Sequence, residues 1–216
     1  MAVAASWFVT SKADWYLMRG SGIVSLLLFT AVVLLGIATV KRWRPGRLPR
    51  FVTQSLHRSI SLLAVVFLGV HIATAVIDPY AMVGVAAVFV PFVAGKSAFW
   101  VGLGALSLDL IAVLVVSSLL RRHIGARVWR ALHWLAYLSW PVAVAHTLGT
   151  GTDASTVWLR SLTGACVALV GVAVALRLRS RTAGKHLEPQ RVPAIAEGPR
   201  LKRSAYRAPR GLKVPA

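Results

Sequence analysis

The chain has 216 residues, 57% of them hydrophobic, and carries 25 lysines and arginines against six acidic residues, a formal net charge of +19. That apolar share exceeds the ~45–50% usual in soluble domains, and it is gathered into runs of about 20 residues, the length that crosses a hydrocarbon core of about 30 Å. A soluble fold is excluded, and the single cysteine, Cys166, rules out a disulfide framework or a cysteine-held metal cluster.

Residues 1–18 lack a basic start, and Lys12, Asp14 and Arg19 interrupt the stretch where an apolar signal core would lie, so no cleavable signal peptide is expected. The first apolar run is Gly20 to Val40, followed by KRWRPGRLPR at 41–50. The second runs from about His57 to Ile77 and stops at Asp78-Pro79. Residues 81–94 are apolar but short and contain Pro91, which predicts a cap lying on or dipping into the bilayer. The third run, about Ala98 to Leu120, meets RRHIGARVWR at 121–130. The fourth is about Ala131 to Leu148, and the fifth about Thr156 to Leu176. Helix is the expected state of each, because open strands leave backbone groups unpaired in lipid.

Charge gives the expected orientation. Lys41, Arg42, Arg44, Arg47, Arg50, Arg58, Arg121, Arg122, Arg127 and Arg130 flank one set of ends, and eleven more basic residues follow from Arg177 onward. The opposite ends hold Lys12, Arg19, Lys96 and Arg160. Cytoplasmic loops hold the lysine and arginine excess. The expectation is an all-α integral membrane helical bundle of about five transmembrane helices, with the N-terminus outside and the C-terminus cytoplasmic. It is a multi-pass protein of the cytoplasmic membrane, with a membrane domain over residues 1–178 and a basic tail over 179–216. The tail lacks the apolar periodicity to fold alone. It reads as a segment drawn to anionic lipid headgroups or one that docks a cytosolic partner. Because topology accounts for the charge, no nucleic-acid partner is expected.

Six histidines are present. His123 and His186 fall in the basic loop and tail. The other four lie on two runs: His57 and His71 are fourteen apart on the second, His133 and His146 thirteen apart on the fourth. At 1.5 Å per residue each pair is separated by roughly 20 Å along its helix. Both runs cross in the same direction, so His57 is level with His133 and His71 with His146. Fourteen residues fall about 40° short of whole turns, which keeps His57 and His71 on one face, whereas thirteen miss by about 140°. Pro141, between His133 and His146, is the expected source of a corrective kink. A single membrane histidine is ordinarily an interhelical hydrogen-bonding residue or part of a proton path. Four, matched in depth, point instead to metal ligation. Two ligands per level are too few for zinc and suit a bis-histidine haem.

These spacings, with WYLMRGSG at 15–22 and WRALHWLAY at 129–137, resemble the ferric reductase-like transmembrane family, which includes the membrane portions of NADPH oxidases and ferric-chelate reductases. The resemblance covers about residues 15–178. It implies two b-type haems, an inner one on His57/His133 and an outer one on His71/His146, with electrons passing from the cytosol to an outside acceptor such as ferric iron or oxygen. It also implies cationic partners for the haem propionates, with Arg19 at the outer end and Arg58 and Arg130 at the inner end as candidates. Arg58 and Arg130 read equally as interfacial residues with snorkelling stems, whereas Arg19, on the charge-poor side, reads more readily as a functional residue. Trp140 is either an aromatic between the haem levels or an ordinary core residue. Asp109, in the middle of the third run, is either a proton relay or a hydrogen-bonding residue to groups such as Ser107 or Ser139.

No Gly-rich phosphate loop follows a strand in these residues. The resemblance therefore implies a separate cytosolic flavin/NAD(P)H reductase, or a quinol, as donor. Two other readings stand beside it. One is the haem-binding membrane subunit of a methionine sulfoxide reductase-like system, fed by quinol or flavin. The other is a proton channel or small transporter that uses the membrane histidines and Asp109 as relays.

Overall fold

The computed structural model describes residues 12–39, 50–79, 81–150 and 152–183. Most of the basic stretch at 41–50, His186 and nearly all of the basic tail lie outside the described residues. The described chain is helical: α1 (Lys12–Ala38), α2 (Arg50–Ile77), α3 (Val85–Phe89), α4 (Ala98–Leu119), α5 (Arg121–His133), α6 (Ala136–Gly149), a 3-10 turn (Thr152–Ser155) and α7 (Val157–Ala183). The helices up to Ser180 form one compact unit; of a second unit, residues 181–216, only the last turn of α7 is described.

Four helical segments are long and apolar enough to cross a bilayer: Ala13–Ala38, Phe51–Ile77, Ala98–Leu119 and Val157–Arg179. Their surfaces carry exposed Leu62, Val66, Val113, Val116, Leu169 and Val172, side chains that water would penalise and hydrocarbon would not. The chain is thus a helical membrane bundle, as its composition requires. The short α3, with Pro91 just beyond it, is no span. Phe92 instead packs onto α4, where a methyl group on Gly102 would meet it.

The fourth expected span is built differently from the others. Residues 121–130, read from the sequence as a loop, are helical, with a break at Gly125, whose φ of 76° is open to glycine. The chain then breaks again after His133. Trp134 and Leu135 have ψ of -21° and -20°, values of a 3-10 helix. Four i→i+3 hydrogen bonds run through the region: Trp134 to Ala131, Leu135 to Leu132, Tyr137 to Trp134, and Leu138 to Leu135.

This overwinding repairs the mismatch of thirteen residues. Each 3-10 residue turns about 120° and rises about 2.0 Å, against 100° and 1.5 Å in an α-helix. Four of them recover about 80° of the missing rotation and about 2 Å of rise. The rewinding lies N-terminal to Pro141 and not at it. Pro141 has no N–H to offer the Tyr137 carbonyl, and Tyr137 is braced from α7 by a hydrogen bond from Arg177 to its hydroxyl.

Candidate cofactor-binding site

α1 packs antiparallel to α2, and α4 packs antiparallel to α6. The two histidine-bearing segments face each other between these supports. His57 lies opposite His133 with ring centroids 6.4 Å apart, and His71 lies opposite His146, also at 6.4 Å. The structure therefore brings the four histidines together as two pairs at two depths.

Three of the rings are held in the same manner. His71 Nδ1 is 2.8 Å from the Met18 carbonyl, His146 Nδ1 is 2.8 Å from the Trp100 carbonyl, and His57 Nδ1 is 3.2 Å from the Val32 carbonyl. A carbonyl oxygen only accepts, so Nδ1 donates in each case. That fixes the tautomer with a lone pair on Nε2. Each acceptor lies four residues before a glycine on the supporting helix: Gly22, Gly104 and Gly36. A methyl group on Gly104 would come within 2.7 Å of the His146 ring, on Gly22 within 3.0 Å of His71, and on Gly36 within 3.6 Å of His57. The missing side chains open the carbonyls to the imidazoles. Sequence reasoning missed these glycines, although Gly22 and Gly36 are fourteen apart, like His57 and His71.

The gap in each pair suits one metal ion. Two metal–imidazole bonds of roughly 2.0–2.1 Å, with about 1.1 Å from nitrogen to ring centre on each side, span about 6.3 Å. The rings are too far apart to hydrogen-bond each other and stand at 70° and 76° to one another. Among the described residues no group of three or more His, Cys, Asp or Glu is assembled. Each pair thus offers two ring nitrogens, a number that would fit a metal whose remaining ligands come from its own macrocycle.

The arginines are placed around the ends. Arg19, on the His71/His146 side, forms an ion pair with Asp153 of the 3-10 turn and lies 4.0 Å over the Trp15 ring. Arg58 and Arg130 are exposed at the His57/His133 end, and Arg130 Nε bonds the Ala126 carbonyl of its own helix at 3.1 Å. Midway between the pairs, Trp140 Nε1 donates to Thr30 Oγ1 of α1 at 3.1 Å. Asp109 makes no hydrogen bond or ion pair among the described residues; Ser107 bonds the Ser139 carbonyl at 3.2 Å instead.

Fold and site together define a helical membrane protein that presents paired imidazoles at two depths. The profile of the ferric reductase-like transmembrane component matches residues 10–144, more than half of the chain, taking in His57, His71 and His133 and ending just before His146. The chain belongs to the ferric reductase-like transmembrane family. No curated protein and no solved structure matches it.

Proposed function

We propose that this protein carries electrons across the bilayer through two b-type haems, one held by His57 and His133, the other by His71 and His146. The observation that carries this reading is the 6.4 Å separation of the ring centroids in both pairs. That is the spacing two axial imidazoles need around a single iron. A haem in each pair would supply a one-electron couple at each depth.

The chain's own residues supply the rest. The Met18, Val32 and Trp100 carbonyls hold three of the rings by Nδ1 and raise the basicity of Nε2. The α1/α2 and α4/α6 packing keeps the pairs level, and apolar surfaces keep bulk water from the midplane. Thr30 holds the Trp140 indole between the two levels, as a core aromatic.

The basic residues of α5, with Arg177 and Arg179 of α7, lie at the His57/His133 end, which the lysine and arginine rule assigns to the cytosol. Electrons then enter there from a separate flavin- or NAD(P)H-dependent reductase and leave past the Arg19–Asp153 end to an acceptor such as ferric iron or oxygen. Arg19, Arg58 and Arg130 are suited to carboxylates at the haem margins. Arg19 would have to share itself with Asp153.

The test is the reduced-minus-oxidised spectrum of detergent-purified protein, with the haem content per chain. Two low-spin b-type haems per chain are expected. The double variant His71→Ala/His146→Ala, and separately His57→Ala/His133→Ala, should each retain one. A colourless protein produced with ample haem removes the proposal.

A further inference from the structure

Three of the four histidine seats are alike, and the fourth departs from them. Fourteen residues on from Gly104 stands Ser118, which has a side chain where the pattern has none. Its hydroxyl faces Trp129 Nε1 at 3.4 Å. Fourteen on from Trp100 is Leu114, whose carbonyl already accepts from Ser117 Oγ at 3.1 Å. His133 Nδ1 is buried and finds no hydrogen-bond partner among the described residues.

What holds the His133 ring is Trp129, stacked on it with centroids 4.9 Å apart and planes at 26°. Stacking sets the plane of an imidazole but leaves its rotation within that plane soft. The backbone under it packs on α4 but is less deeply buried. His133 ends a short piece of helix between the break at Gly125 and the 3-10 turn at Trp134, and no residue of α5 is buried. His57, His71 and His146 stand inside helices that pack on a supporting neighbour.

A metal-ligating histidine that lacks the bond to its other nitrogen typically holds its metal 10–100-fold more weakly. Turning the ring to satisfy Nδ1 also carries Nε2 away from the gap. Resting on the haem reading above, we infer that His133 is the exchangeable ligand. It swings out, and the position it leaves accepts a small neutral diatomic molecule, while the His71/His146 pair stays closed. The Trp129 end of the bundle is then a diatomic-binding site as well as a station for electrons.

Carbon monoxide, titrated into the dithionite-reduced full chain in detergent, reads this directly. CO is expected to shift the Soret band of one haem of the two. His71→Ala/His146→Ala, which keeps only the Trp129-end haem, should retain that response. His57→Ala/His133→Ala, which keeps only the other, should lose it. Ser117→Ala/Ser118→Gly frees the Leu114 carbonyl and clears the missing notch, and is expected to weaken CO binding at least tenfold. A two-haem protein silent to CO overturns this inference and leaves the electron-transfer reading standing. So does a CO response confined to the Arg19 end, or an unchanged CO affinity in the serine double variant. A colourless protein overturns both.

Discussion

The α1/α2 half and the α4–α6 half of the bundle set histidines at the same two depths with different backbones. In the first half an unbroken α-helix uses fourteen residues between His57 and His71, and a neighbour with glycines at the same spacing supports both rings. In the second half thirteen residues separate His133 from His146. The chain covers the same depth only by tightening into i→i+3 hydrogen bonds over residues 131–138. The first solution repeats a seat. The second meets the depth requirement at both ends but keeps the full seat only at His146. Matching depth and matching support are separate demands on a sequence, and a helix can satisfy the first while failing the second.

The comparison is broken most severely at Gly104. Its missing side chain lies against His146, and a methyl group there would sit 2.7 Å from both Cε1 and Nδ1, closer than real contacts allow. Gly104→Ala must push the ring off the Trp100 carbonyl or push α4 off α6, and overpacking of this kind costs about 1–3 kcal/mol. The expected outcome is loss of one haem of the two, with the His57/His133 spectrum retained. Two haems of unchanged spectrum in this variant would show that the glycine seat is not what places His146.

Gly22 and Gly36 sharpen the same comparison within α1. A methyl group on Gly22 would lie 3.0 Å from His71, a contact the ring must yield to by a few tenths of an ångström, whereas on Gly36 it would lie at an ordinary 3.6 Å from His57. Gly22→Ala is expected to weaken haem retention at the His71/His146 level by about 10-fold, the low end of the loss seen when a ligand's outer support is disturbed. Gly36→Ala should leave both haems in place. Haem loss to apomyoglobin, followed for the two variants side by side, gives the order, and a reversed order would contradict the seats as described.

Much of this arrangement is legible in the sequence. The depth pairing follows from helix rise, span direction and the positions of His57, His71, His133 and His146 alone. The rewinding is only half legible. Thirteen residues announce that something must turn, and Pro141 draws the eye, but the correction falls at residues 131–138, where no local residue pattern distinguishes i→i+3 from i→i+4 bonding. The seats are not legible at all, because a glycine reads as a notch only once the neighbouring helix is known. The same holds for the outer arginine. Asp153 stands 134 positions from Arg19, and no local pattern couples them. Asp109 teaches the converse: of the groups expected as its partners, the Ser107 hydroxyl donates to the Ser139 carbonyl and the Ser139 hydroxyl to the Ala136 carbonyl.

A smaller effect is expected midway between the levels. Thr30 is buried and is the acceptor for Trp140 Nε1. Thr30→Val keeps the shape and removes the acceptor, leaving an indole N–H unpaired at a cost of about 1–3 kcal/mol. Thermal or denaturant unfolding in detergent should register that loss while the haem content stays at two. Loss of a haem instead would place Trp140 in the support of a ligand.

The smallest expected effect concerns the pair that ties α1 to the turn after α6. Arg19 and Asp153 form a part-buried ion pair, with side chains 13% and 31% exposed. Exposed pairs contribute about 0.2–1 kcal/mol, and in a part-buried pair such as this one the larger Coulomb gain is offset by desolvation and side-chain ordering, so a similar range is expected. A double-mutant cycle with Arg19→Gln and Asp153→Asn should return a coupling within that range in the haem-free protein. In the haem-loaded protein the two readings of Arg19 part. If Arg19 serves only Asp153, the coupling is unchanged. If Arg19 also meets a haem carboxylate, Arg19→Gln lowers the potential of the His71/His146 haem, because a nearby cation favours the electron-rich state. The Asp153→Asn variant would then raise it. Opposite shifts at this level, with the His57/His133 potential unmoved, would make Arg19 a cofactor contact held in check by Asp153. Two flat potentials would leave it a structural tie between α1 and the turn.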